Sequence, residues 1–462
     1  MKEMDPGGSG AGRSVIRGQQ TPGGRTRILR RPRTWIRDAV FLEIFPRAFA
    51  PEGTLEAISR RLKAVGELGI NALCLMPVHP IGRKGRRGSC GSPYAVRNHF
   101  EVHPELGTKE DLRALVGAAH RLRMRVILDF VLGQAAADHV ELAHHPEWLL
   151  TDGRGEPLRP APGCSDVVCW NLGHPALREY LISAMISWLR EADVDGFRLF
   201  LEGNVPGDFL AEIRHRLDQE KPGVSLLGWG VEDSHGFADL DALQDRRLHR
   251  ILCEIRAGRI PASALVEALA AEEKPRGKRP LPIRYLESHE EKRAADTFGL
   301  DALEAYATLL FTSGGVPMLY NGQIEGDTER PSLFEKHTIA QEPLHPLFPK
   351  LYRKLIRARR ENRVFGVGKF VPLPNSLPRY VASFARLSPR QAAVVVVNLR
   401  EKKSEIRVEI PGPLRAGRED WMFADLEWQK LRIFRKPELF LELGPYEALI
   451  FSGEAGEQKR GT

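Results

Sequence analysis

The sequence predicts an α/β chain: a (β/α)8 TIM barrel followed by a C-terminal antiparallel β-sandwich domain. Three observations predict it. Apolar, strand-like runs alternate with amphipathic helical ones between residues 39 and 361, the pattern of a parallel sheet wrapped by helices. The strand slots in that stretch number eight, which favours a closed barrel over an open doubly wound sheet. Beyond residue 365 the helical period gives way to short strands between Pro and Gly turns. At 462 residues the chain has room for a barrel of roughly 250 residues or more plus an appendage.

The run 39–45 (AVFLEIF) reads as the first strand, and 55–68 as a helix with Ile58, Leu62, Val65 and Leu68 on one face. A second strand, 71–76, stops at Pro77. Thr108 is placed to cap a helix running to 122, with Asp111 three positions on. The third strand, 125–131 (RVILDFV), is too apolar to have a solvent face, as parallel barrel strands are. Residues 133–173 have no strong period and form an excursion; a loop that long inside a compact domain is usually functional or a small subdomain.

A helix over 175–191 starts with a proline in its first turn. Strands follow at 196–201, 224–228, 238–240, 283–288 and 316–320, separated by helices at 207–219, 243–257, 262–273 and 301–311. The strand at 238–240 is the weakest pattern of the eight. The helix 349–361 closes the barrel. The sandwich strands are 380–385, 392–398, 405–410, 438–443 and 448–451, several of them alternating apolar with polar. The domains are therefore a disordered basic tail over 1–37, the barrel over 38–364, the sandwich over 365–453 and a tail over 454–462.

The formal charge of +8 is misleading for the body. Residues 1–37 carry nine basic against two acidic side chains, +7 of that total, which leaves +1 for the rest. A Gly- and Pro-rich tail with few large apolar residues cannot repay the entropy of ordering. A solvated extension explains it better than an arm for nucleic acid or an acidic partner. It lacks the apolar core of a secretory signal peptide, and no run approaches the roughly 20 apolar residues that cross a bilayer. Cys74, Cys90, Cys164, Cys169 and Cys253 are odd in number and have no metal-ligand spacing, as in a reduced, cytoplasmic protein. Neither a cofactor nor a metal is expected.

Seven segments carry a family resemblance: GSPYAVRN at 91–98, PELGTKEDL at 104–112, AAH at 118–120, VILD at 126–129, GFR at 196–198, YLESHE at 285–290 and GVPMLYNGQ at 315–323. In this order and spacing the chain resembles the alpha-amylase family of glycoside hydrolases over roughly residues 38–453. The resemblance implies the barrel fold, but function has to be argued from the site. A retaining glycosidase needs two carboxyl groups about 5–5.5 Å apart, one attacking the anomeric carbon and one protonating the leaving oxygen. In a barrel these stand at the C-terminal strand ends. The resemblance maps the nucleophile onto Phe200 and the acid onto Trp229, neither of which can do that chemistry.

The losses continue. Where the family has an Asn-His pair after Asp129, this chain has Gly133 and Gln134; Ser288 and Glu290 replace an Asn and an Asp. Tyr94, Asp129, Arg198 and His289 survive, and Tyr94, Arg198, His289 and Gln134 are the candidate substrate-binding residues. Arg198, without its nucleophile partner, needs another anion, for which Asp129 and Glu290 are the candidates; the alternative is a solvated guanidinium in an open cleft. Phe200 and Trp229 either plug the pocket, the preferred reading, or stack on a sugar face. Glu202 and Glu232 lie on the two strand extensions, but a displacement of about 3 Å would spoil attack geometry.

The reading that follows is a degenerate, non-hydrolytic member, a pseudoenzyme of carbohydrate metabolism with no catalytic residues. Its role is α-glucan or maltooligosaccharide binding, or structural or regulatory service to a protein partner. The alternative is an active α-glucan hydrolase or transglycosylase using displaced carboxylates such as Glu202, Glu232 or Glu290.

Overall fold

A computed structural model of the chain describes residues 34–202, 205–231, 237–273, 279–411, 422–425, 431–433 and 437–454. Eight parallel strands close into a barrel: Phe41–Ile44, Ala72–Leu75, Arg125–Val131, Gly196–Phe200, Ser225–Trp229, Ala242–Gln244, Leu281–Arg284 and Val316–Tyr320. Each pairs with its sequence neighbour, and the first closes on the eighth with Glu43 opposite Tyr320. Because both faces are covered, most strand residues are buried, and this is why they read as continuous apolar runs.

Helices pack outside: Leu55–Glu67, Lys109–Arg121, Pro175–Glu191, Gly207–Glu220, Arg246–Arg256, Ser263–Glu272, Leu303–Thr312 and Phe348–Glu361. Thr108 caps the second of these through a reciprocal capping box with Asp111, as its spacing predicts.

Three expectations need correction. The sixth strand is Ala242–Gln244, not 238–240, so the following helix begins at Arg246. The seventh ends at Arg284, which leaves Glu287, Ser288, His289 and Glu290 on the loop beyond it. The basic tail expected over 1–37 falls mostly outside the described residues. Its last four residues, Thr34–Arg37, form a helical turn whose Ile36 is buried against Phe41, Ala72 and Ile283 in the lower barrel. An apolar side chain that can reach a core is held there whatever the composition around it.

The excursion is a small unit in which Gln134–Ala136 pairs with Val167–Cys169. The C-terminal domain is a sandwich. Six antiparallel strands run in the order Lys369–Pro372, Val381–Leu387, Gln391–Asn398, Ala448–Glu454, Met422–Asp425, Leu431–Ile433. They face a two-stranded sheet of Ser404–Glu409 and Glu438–Leu443. Val394 and Val396 from one sheet and Ile406, Val408, Leu441 and Leu443 from the other share its core. Among the described residues no helix is long and apolar enough to cross a membrane.

Candidate functional site

Strand periodicity decides which side chains reach the barrel mouth. Asp129 and Arg198 are register partners on the third and fourth strands, and Phe200, two residues past Arg198, is opposite Trp229 on the fifth. Arg198 is 0% exposed. Its Nε donates to Asp129 Oδ1 and its Nη2 to Asp129 Oδ2, both at 2.6 Å, a bidentate pair. The same Nη2 donates to Glu43 Oε1 at 2.6 Å. His289 Nδ1 lies 2.7 Å from that Glu43 oxygen, and its Nε2 lies 3.0 Å from the Tyr94 hydroxyl. Tyr94 donates to Asp129 Oδ2 at 3.2 Å, which closes a ring of five side chains.

Burial alone would push Glu43 up, but Arg198 and His289 outweigh it and hold the carboxyl at about 2. Burial works against the charge of Arg198 as well, yet Asp129 and Glu43 hold its pKa well above the usual value. Because the Glu43 carboxylate can only accept, His289 Nδ1 carries the hydrogen between them.

The sign of the pH dependence follows. A carboxyl depressed from 4.5 to about 2 contributes stability above 4.5 that is lost as pH falls through 2. The contribution is roughly 3 kcal/mol at about 1.4 kcal/mol per pKa unit. Glu43→Gln should therefore flatten the acid limb of urea-unfolding stability between pH 4.5 and 2; an unchanged slope would contradict the assignment.

Above this ring the mouth is filled by side chains. Phe200 and Trp229 stack with centroids 4.5 Å apart and are 7% and 2% exposed. The Tyr94 ring lies 5.7 Å from Phe200 and 5.2 Å from Trp229; His289 meets the indole edge-on at 4.7 Å, and the Arg198 guanidinium lies 5.4 Å from it. Ile339 and Leu333, from the loop after the last strand, pack onto the same cluster, and Ile339 N–H donates to Ala48 O at 3.0 Å. Buried Trp229 Nε1, Glu43 Oε2 and Tyr320 Oη have no partner among the described residues. Such unpaired groups cost about 1–3 kcal/mol each, a penalty the aromatic packing has to offset.

The structure thus joins Tyr94, Asp129, Arg198 and His289 and sets two other candidates apart. Glu290 pairs with Arg246 at 2.9 Å, because the loop beyond the shortened seventh strand turns it outward; Arg198 is not its partner. Nor is Arg198 solvated in a cleft. Gln134 lies in the excursion sheet, and its amide donates to the Tyr94 backbone carbonyl at 3.3 Å. Glu202 is exposed at the rim, beside Gly230 and Phe200. Burial raises its pKa, the charge of Glu290 adds to this, and Arg246 opposes it. Glu232 lies outside the described residues.

Sequence reasoning missed Glu43, the second anion of Arg198. The signal was there: one acid inside the otherwise apolar run 39–45. It also gave no sign that His79 and His99 cluster with His139. His99 Nδ1 is 3.1 Å from His139 Nε2, and the ring centroids of His79 and His99 are 5.8 Å apart. Burial holds His79 at about 4 and His139 at about 3, so these are neutral core imidazoles.

Fold and site together define a (β/α)8-barrel protein with an arginine-centred floor and a filled mouth. A family model described as "Alpha amylase, catalytic domain" matches residues 19–146. Alpha-amylase MalA of Haloarcula japonica is 26% identical over 404 residues, covering 80% of this chain and 57% of that protein. A cyclomaltodextrinase of Geobacillus thermopakistaniensis is 24% identical, with 91% of this chain and 78% of that protein covered. The crystal structure of a maltogenic alpha-amylase, AmyB from Thermotoga neapolitana, superposes with a TM-score of 0.83 at 29% identity, covering 91% of this chain and 99% of that one. The chain is thus similar to alpha-amylases and cyclomaltodextrinases over most of its length, and spans 57% of the length of the Haloarcula protein.

Proposed function

We propose that this protein is an alpha-amylase-family member whose barrel mouth does not cleave glycosidic bonds, and that it serves a structural or regulatory role in α-glucan metabolism. One observation carries the reading. The two strand ends where a retaining enzyme needs facing carboxyl groups hold a buried phenyl ring and indole in mutual contact. Arg198 and both Asp129 oxygens are committed to the ring of contacts beneath, so neither is free for a sugar. A glucose unit seated there would have to displace Trp229.

A second reading has support of its own. The relatives bear the names of amylases and cyclomaltodextrinases, which favour activity over its loss. At the rim, burial and then the charge of Glu290 push Glu202 up in pKa. A carboxyl pushed up by burial is what a general acid requires.

Turnover separates the readings. Maltoheptaose and a nitrophenyl α-maltoside incubated with the pure protein are expected to release no product above the buffer rate. Release that Glu202→Gln or Glu290→Gln abolishes would establish the second reading and defeat the first.

A further inference from the structure

The segment 327–340, which follows the eighth barrel strand, lies over the mouth as a loop whose two ends meet. It contains neither helix nor strand. Its neck is built on one buried carboxylate: Asp327 Oδ2 accepts from Ala340 N at 3.0 Å, and Oδ1 accepts from Glu329 N at 2.9 Å. Arg293, 1% exposed, fixes that neck. Its Nη2 lies 3.5 Å from Asp327 Oδ2, its Nη1 donates to Glu287 Oε1 at 2.7 Å, and its Nε donates to the Glu329 carbonyl at 2.9 Å. Ends joined in this way define an Ω loop, a compact surface unit of a kind that is frequently functional.

The tip is fastened differently. Glu335 accepts from the Ser89 hydroxyl and from Ser89 N, the latter at 3.2 Å, and both residues are exposed. Those two bonds hold the Glu335 carboxyl below its usual range. Cys90 N donates to the Phe334 carbonyl at 2.8 Å, and the Arg87 guanidinium lies 4.1 Å from the Phe334 ring. Every one of these tip contacts comes from the short stretch 87–90. Between neck and tip, Leu333 and Ile339 rest on the cluster that contains Tyr94, Phe200 and Trp229. Few buried apolar contacts together with water-exposed hydrogen bonds mark a segment that opens at a lower free energy than the barrel it covers.

We infer that 327–340 is a lid over the barrel mouth, hinged at Asp327 and latched by Glu335 on Ser89, and that it opens as a unit while the barrel stays folded. Opening uncovers the aromatic cluster beneath Leu333 and Ile339. The latch sets access to the mouth whether or not bonds are cleaved there, so exchange and not turnover is what tests it.

Hydrogen–deuterium exchange of the full chain, read by mass spectrometry, is that test. Peptides covering 333–341 should exchange faster than the strand Val316–Tyr320 and the helix Phe348–Glu361. Glu335→Ala, a surface change, should speed exchange in 333–341 by about tenfold through loss of charge-assisted hydrogen bonds, and leave that strand and helix at their wild-type rates. Ser89→Ala should act in the same direction, and trypsin should cut after the exposed Lys336 faster in both variants. Exchange in 333–341 as slow as in the barrel strand, or equal in the wild-type chain and both variants, overturns the lid. Acceleration of every peptide alike overturns it too, since cover and barrel would then open together.

Discussion

Arg198→Met is expected to destabilise the protein by about 3–5 kcal/mol, and to do so more than any surface substitution. Removing the guanidinium leaves Glu43 and Asp129 buried, facing each other's charge with only Tyr94, Cys74 and His289 as partners. Desolvating two carboxylates without a cation is what makes the loss large; the net worth of the original cluster against an apolar filling is much smaller. The control follows from that distinction. Adding Glu43→Gln and Asp129→Asn to Arg198→Met should recover part of the lost stability, although it removes more native contacts. Urea denaturation of the single and triple variants decides it, and a triple variant weaker than the single by the sum of its parts would contradict the account.

Trp229→Ala is the second large effect, a loss of about 3–5 kcal/mol. The indole touches Phe200, Tyr94, His289 and Arg198 at once, so truncation opens a cavity that four neighbours cannot all fill. Phe200→Ala should behave alike, and the double variant should cost less than the sum because the two rings share a contact. Rings lining an open sugar platform would respond differently, since exposed side chains away from packing change stability by only about 0.5 kcal/mol. The size of the loss therefore reports whether the mouth is packed.

How much of this was legible in the sequence depended on length and on burial. The third, fourth, fifth and eighth strands could be read directly because each has five or more residues, most of them apolar for a single reason, coverage on both faces. The sixth has only three residues, Ala242–Gln244, and the apolar pair Ala238 and Leu240 just before it gave the stronger local pattern. Local period cannot rank two short runs; the register with Leu227 and Ile283 does.

At the site, the family resemblance placed Phe200 and Trp229 together, and in the structure both end parallel neighbours in register. It could not find Glu43 as a partner of Arg198, since that contact spans 155 positions and crosses the barrel interior. Glu290 was assigned the wrong partner for a related reason: a residue on a loop keeps its position in a motif without keeping its direction. The N-terminal tail was read by composition alone, and composition does not register one Ile36 that reaches a core.

The measurement that bears most directly on the closed mouth is the structure of the chain crystallised and soaked with maltotriose. Phe200 and Trp229 should remain in contact, 4.5 Å between centroids, with no sugar ring between Tyr94 and Trp229. A glucose unit seated in that space, with the indole swung aside and the Glu202 carboxyl turned toward a glycosidic oxygen, would contradict the account.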